Sequence, residues 1–195
     1  MDTQDRKVVL YIATSVDGYI AREDGDIEWL HEVDELGEGD SGYGDFYNRI
    51  DTVLMGRKTY DQVLTLVDDF PYPDKQCYVF SRSETRADIP PIHFVQEDVS
   101  TFLPQLTRQS GGDIWLVGGA ELFQSLWRTG QVDELIITVI PVVLGNGIPL
   151  FAPAASNQEQ TVIQSQAGET GQPALRLLDT TRYGQFVQSH YEVIR

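Results

Sequence analysis

Ile114-Trp115-Leu116-Val117-Gly118-Gly119-Ala120-Glu121-Leu122-Phe123 is the stretch that decides how this chain folds. The four apolar residues before the glycine pair read as a strand buried on both faces, as strands of parallel sheets are. Leu122, Phe123, Leu126 and Trp127 then recur at helical spacing. A strand therefore turns directly into a helix at Gly118-Gly119. Two adjacent glycines remove both Cβ atoms and let a ligand approach the main chain, and the helix that follows aims free N–H groups at the same gap, which suits a phosphate. A tight turn that the glycines merely permit is the competing reading.

Upstream the same figure repeats. Thr52-Val53-Leu54-Met55 is a strand ending at Gly56-Arg57-Lys58-Thr59, and Tyr60, Val63 and Leu64 mark the helix after it. Cys77-Tyr78-Val79-Phe80 ends at Ser81-Arg82-Ser83, Ile92-His93-Phe94-Val95 follows, and residues 99–109 read as a helix. Near the start, Val8-Val9-Leu10-Tyr11-Ile12-Ala13 is an unbroken β-branched and apolar run fit for the middle of a sheet. Strands alternating with helices give βαβ units, a parallel sheet and ligands at the strands' carboxyl ends. Downstream the rhythm changes: residues 135–140, 175–179 and 186–194 are strand candidates with no long helix between them, hence antiparallel. The expected fold is a single α/β domain over residues 1–195, with a mixed, mostly parallel central sheet flanked by helices and antiparallel C-terminal strands.

Between these elements, residues 15–30 read as a loop that returns to the core. Residues 32–44 are acidic and glycine-rich, too polar to pack, and read as a mobile surface loop, either a lid or a plain insertion. Asp45 opens a short helix over residues 45–50, and residues 153–171 read as a surface excursion.

A formal net charge of −16 excludes nucleic acid as a partner, since binding it requires a basic surface. Solubility explains that acidity most simply; adaptation to high salt is the sharper alternative. Cys77 is the only cysteine, and His31, His93 and His190 lack metal-site spacing, so neither disulfide nor metal is expected. Without an apolar run of roughly 18 residues or a signal-like N-terminal core, no membrane partner and a cytoplasmic location are expected.

With so few cations, those beside strand ends carry weight. Arg57, Lys58, Ser81 and Arg82, with the Gly118-Gly119 turn, form a plausible cradle for several phosphates: arginine clamps phosphate with paired bonds, and the helix start adds backbone donors. A dinucleotide bearing an extra phosphate fits best.

Met55-Gly56-Arg57-Lys58-Thr59-Tyr60, Val79-Phe80-Ser81-Arg82 and Val117-Gly118-Gly119 occur in the order and spacing of the dihydrofolate reductase superfamily. Ser15-Val16-Asp17-Gly18-Tyr19-Ile20-Ala21 and the run from Pro141 through Gly145-Asn146-Gly147 to Phe151 resemble its branch containing the reductase domain of bacterial riboflavin biosynthesis. The resemblance covers residues 7–194. It implies a reductase using NADPH on a small-molecule substrate, a ribosylaminopyrimidine or a relative. Dihydrofolate reductase proper and a non-catalytic NADPH-binding protein are the alternatives. Carried over, Gly56, Arg57, Lys58, Thr59, Ser81 and Arg82 contact the cofactor. So do Gly118, Gly119, Ala120, Glu121 and Leu122, with a cis peptide joining the two glycines; Glu121 stands where some relatives carry a basic residue. Asp45 and Asp17 are the catalytic candidates, and Trp29 is a candidate for the pocket floor. Members of the branch often pair, and the apolar run 135–144 is longer than one strand needs, so a homodimer through it is expected.

Overall fold

Val8–Ser15 forms strand β1 near the middle of an eight-stranded sheet, parallel to a neighbour on each side. The computed structural model describes residues 6–83, 90–151 and 174–195, and the excursion expected at 153–171 lies outside them. After β1 come β2 (Tyr19–Ala21), α1 (Glu28–His31), a 3-10 turn (Asp34–Leu36), α2 (Tyr43–Arg49), β3 (Ile50–Gly56), α3 (Arg57–Leu66) and β4 (Gln76–Phe80). Then follow β5 (Ile92–Val95), α4 (Val99–Thr107), β6 (Asp113–Gly118), α5 (Ala120–Arg128), β7 (Glu134–Ile140), β8 (Ile148–Pro149), β9 (Ala174–Tyr183) and β10 (Phe186–Ile194). The sheet order is β5-β4-β3-β6-β1-β7-β10-β9. The first six strands in that order are mutually parallel; β10 runs antiparallel to β7, and β9 antiparallel to β10. The mixed, mostly parallel sheet with antiparallel C-terminal strands is thus the fold observed.

The two-residue period of the strands sorts the core onto two faces. Val8, Leu10, Leu54, Leu116 and Leu135 pack under α4 and α5 through Leu103, Leu106, Phe123 and Leu126. Val9, Val53, Met55, Trp115 and Ile136 pack on the other face, under Phe46 of α2 and Tyr60 of α3. Consequently α3 and α5 lie on opposite faces of the sheet. Near the ends of β1 and β7, a third cluster gathers Trp29, Ile140 and Phe186.

Two expectations are corrected here. Residues 32–44 are not a loop too polar to pack: the 3-10 turn lies against the β9–β10 turn, where Gln185 N–H donates to the Leu36 carbonyl at 2.8 Å. The Ser41 carbonyl also accepts from Tyr11 Oη at 2.8 Å and from Gln188 Nε2 at 2.9 Å. Backbone groups satisfied by distant strands hold the segment, whatever its side-chain polarity. Nor does the strand part of the apolar run, residues 135–140, offer a docking face, although Val143 beyond it is 70% exposed. β7 lies between β1 and β10, and Leu135, Ile136 and Ile140 are buried within the chain.

At the N-terminal edge of the parallel strands, the buried Glu134 carboxylate receives Lys7 Nζ at 2.5 Å, Arg49 Nη2 at 2.6 Å and His190 Nε2 at 2.9 Å. Burial pushes its pKa up, but these hydrogen bonds and charges outweigh that and hold it well below the ordinary carboxyl range. One acid thereby ties β1, α2, β7 and β10 together at the end of the sheet opposite the candidate site.

Candidate active site

From β3 the chain moves outward to β4, whereas from β6 it crosses β1 to reach β7. Neighbouring strands whose connections leave in opposite directions open a crevice at their carboxyl ends, where ligands of open α/β sheets bind. β6 ends early: β1 pairs with it over Val8–Leu10 but continues along β7 to Ser15. The last residues of β1 and β7 therefore stand as a wall beside the opening above Gly118.

Two helices begin at that opening, one from each face. α3 starts at Arg57 after Gly56, α5 starts at Ala120 after Gly119, and neither receives a side-chain N-cap bond. First-turn N–H groups without intrahelical partners, combined with the positive dipole ends, make an anion site. The two turns nearly touch. A Cβ built on Gly56 would lie 4.0 Å from the Gly118 carbonyl oxygen, and one on Gly119 would lie 3.2 Å from Thr59 Oγ1.

The peptide joining Gly118 and Gly119 is trans; among the described residues the only cis bond is Pro90-Pro91. The cis link that the resemblance implies is thereby corrected. The turn is made by two successive positive φ angles, +142° at Gly118 and +45° at Gly119, a sequence of conformations open to glycine and closed to most residues.

Around this opening the structure brings together Gly56, Arg57, Thr59, Gly118, Gly119, Ala120 and the buried Leu122, with Lys58 and Glu121 exposed. Arg57 Nε donates to both carboxylate oxygens of Asp61 at 2.9 and 2.8 Å, one helical turn on. Ser81 follows the end of β4, which pairs with Gly56 through Phe80, and its backbone N–H donates to the Val95 carbonyl at 3.0 Å. Arg82 and Glu121, 95% and 81% exposed, face each other at 3.7 Å across the outer mouth. Each arginine here thus has an acidic neighbour from its own chain.

The catalytic candidates are placed differently. Asp45 is exposed on α2, one position before the buried Phe46, so it is no acid enclosed in the core. Asp17, just past the end of β1, accepts from Ser15 Oγ at 2.6 Å, from Leu144 N–H at 3.1 Å and from Gly145 N–H at 2.7 Å. The Ser15 bond first, and then the two amides, lower its pKa from the ordinary aspartate value. Further links zip the same segments: Val16 N–H to the Val142 carbonyl at 2.8 Å, Leu150 N–H to the Gly18 carbonyl at 3.1 Å, and the pairing of β2 with β8. The result is a two-stranded flap at the ends of β1 and β7.

Beneath this flap, Trp29 is fully buried against Ile140 and Phe186, with Ala13, Val142 and Leu144 beside it. Its indole Nε1–H finds no acceptor among the described residues. A buried donor left unpaired costs about 1–3 kcal/mol, and among the described residues only one other buried side-chain atom, Gln131 Oε1, lacks a partner. The sequence offers Trp29 as a candidate for the pocket floor; its orphaned donor has no sequence signal.

A crevice at the switch point of a mostly parallel sheet, entered by two uncapped helix starts, defines a dihydrofolate reductase-like α/β domain. The chain belongs to the RibD C-terminal domain family, whose model matches residues 6–188. It is 46% identical over 187 residues to YwjB, an uncharacterized protein of Bacillus subtilis (strain 168), covering 96% of this chain and 98% of that one. Among solved structures, a protein of Shewanella sp. PV-4 named for riboflavin biosynthesis superposes with a TM-score of 0.78 at 27% identity, covering 97% and 99% of the two chains. The Thermotoga maritima diaminohydroxyphosphoribosylaminopyrimidine deaminase/5-amino-6-(5-phosphoribosylamino)uracil reductase shares the fold, with a TM-score of 0.65 at 16% identity; the match covers 97% of this chain and 57% of that one. Among the described residues no helix is long and apolar enough to cross a membrane, and no group of three His, Cys, Asp or Glu side chains is placed to hold a metal.

Proposed function

We propose that the chain is an NADPH-dependent reductase acting on a C=N or C=O carbon of a ribosylaminopyrimidine-like substrate of the riboflavin-pathway type. The observation that carries this reading is the pair of uncapped helix starts, α3 and α5, meeting across Gly56 and Gly118 at the switch point. Family membership supports the same reading.

The residues fit a dinucleotide. Gly119 leaves open the backbone approach that a Cβ would fill against Thr59, and the helix amides supply donors for a pyrophosphate without needing cations. Gly56, Arg57, Lys58 and Thr59 would hold it from one face, and Gly118, Gly119, Ala120, Glu121 and Leu122 from the other. Ser81 and Arg82 would meet its adenosine end. Arg57, oriented by Asp61, is the cation we assign to the extra phosphate of NADPH. When bound, the reduced nicotinamide supplies the hydride.

The protein's own share is positioning. The Asp17 brace fixes the flap beside the opening, and the apolar cluster around Ile140 and Phe186 excludes water from that side. Trp29, fully buried beneath the flap, reaches a substrate acceptor with its Nε1–H only when the flap opens. Dihydrofolate reductase proper is disfavoured, because the exposure of Asp45 denies that reaction the enclosed acid that would assist protonation of the pterin.

Calorimetric titration of the wild type and Arg57→Ala with NADPH and NADH tests the cofactor half. Tighter NADPH binding that Arg57→Ala reduces toward the NADH value is expected, by about tenfold for one charge-assisted contact. Failure of the wild type to bind either dinucleotide would overturn the reading. An NADPH-oxidation screen over ribosylaminopyrimidines, dihydrofolate and small carbonyls tests the substrate half. Turnover of dihydrofolate at about 10⁴ M⁻¹s⁻¹ or above would reassign it.

A further inference from the structure

We propose that the substrate carries no phosphate: the chain acts on the free ribosylamino form of the heterocycle and rejects its phosphate monoester. The inference rests on the reductase reading above and narrows its substrate class. It comes from a contrast between the two sides of the opening. On the cofactor side the starts of α3 and α5 have no side-chain caps and are open to an anion. On the flap side the chain's own carboxylates already sit on the groups a phosphate would use. The Leu144 and Gly145 amides donate to Asp17. At the start of α2, the Gly42 and Gly44 amides donate to Asp40 at 3.0 and 2.8 Å and lower its pKa, Gly44 the more strongly. That start stands over β1: the Ser41 carbonyl accepts from Tyr11, the first residue of β1 beyond its pairing with β6.

Arg22, just past β2, is held in the same way, by Asp26 at 3.1 Å and Glu32 at 3.7 Å. It opens a turn that spans from the flap to α3, since Asn146 Nδ2 donates to Glu23 at 3.4 Å and Gln62 Nε2 donates to the Gly25 carbonyl at 2.9 Å. Arg22, Glu23, Asp24 and Asn146 line a cleft there. The sequence offers no further cation on this side. Residues 8–48 hold eleven acids and, of Lys and Arg, Arg22 alone; residues 129–175, which supply β7 and β8, hold neither. A phosphate monoester is largely a dianion at neutral pH. A cleft whose walls carry one sign of charge draws ligands of the opposite sign and repels those of its own. The unpaired donor beneath the flap, Trp29 Nε1–H, is uncharged, as a site for a neutral ligand requires.

Calorimetric titration of the full chain, saturated with oxidised cofactor, by a ribosylaminopyrimidine and by its 5′-phosphate tests this. The free form is expected to bind at least about tenfold more tightly. Because the penalty on the phosphate is electrostatic, it should shrink severalfold between about 20 and about 200 mM salt, as the screening length shortens. Glu23→Gln with Asp24→Asn should narrow the preference by about threefold at low salt, a change that a purely steric exclusion of the phosphate would not produce. Equal or tighter binding of the phosphate, or a preference that neither salt nor these substitutions move, would overturn the proposal and leave the reductase reading standing. Binding of neither form would overturn that reading and the proposal with it.

Discussion

Gly145 donates its backbone N–H to Asp17 Oδ2 at 2.7 Å, joining the turn after β1 to the loop after β7. With the Leu144 amide and the Ser15 hydroxyl also on it, the carboxylate is fully engaged in holding two chain segments together. We therefore expect Asp17→Ala to free two amides, loosen the flap and lower kcat/KM by about ten- to a hundredfold, the scale of a small misplacement in a site. The shape of the pH–rate profile should not change, because a brace donates no proton. Disappearance of one limb of that profile in Asp17→Asn would restore Asp17 as an acid or base.

The Gly118-Gly119 turn makes a second prediction. At φ of +45° a side chain on residue 119 is strained, by about 1–3 kcal/mol, and its Cβ would also meet Thr59 Oγ1 at 3.2 Å. Gly119→Ala should unfold a few degrees earlier, retain its circular dichroism spectrum and lose NADPH binding. Wild-type affinity in Gly119→Ala would show that the cofactor does not approach this backbone.

Why these residues differ in legibility follows from where their partners lie. The strand-turn-helix at Ile114–Phe123 was readable because period, glycine pair and helix are all local; so were β3, β4, β5 and β10. By contrast β2 and β8, three and two residues long, exist through pairing with each other across the chain, Tyr19 with Pro149. β9 runs on to Tyr183, past the Asp179 where its apolar content ends, because β10 pairs with it throughout. Asp17 in an Asp-Gly pair looks like a turn residue until its acceptors' partners, more than a hundred residues away, are seen. Trp29 sits among acids, and its burial is decided by Ile140 and Phe186.

Trp29 supplies a third prediction. Trp29→Phe keeps most of the apolar contact and deletes the indole N–H, which has no acceptor among the described residues. For stability alone, losing an unsatisfied donor should be close to neutral, the cost being the smaller ring. If that donor serves the substrate, KM should rise about tenfold while the thermal midpoint moves little. Unchanged KM with a lower midpoint would assign Trp29 to packing alone.

The last prediction concerns acid. Glu134 has a folded-state pKa depressed from its ordinary value of 4.5, so its ionised form is favoured in the native chain. Linkage fixes the sign: the stabilisation is fully present above about pH 4.5, where the unfolded chain is also ionised. It is withdrawn as pH falls from there toward the folded-state value. Denaturant midpoints should therefore drop steeply below that pH. Glu134→Gln removes the charge that Lys7, Arg49 and His190 converge on, leaving cations without their counter-ion in a half-buried setting. Breaking a buried pair from one side costs about 3–5 kcal/mol, and the partial exposure of Lys7 and Arg49 places this case at the lower end. The variant should accordingly be less stable at neutral pH and show a shallower loss on acidification, so that the two curves converge as the medium becomes acidic. Parallel curves across the whole range would mean that Glu134 does not carry the acid sensitivity of the fold.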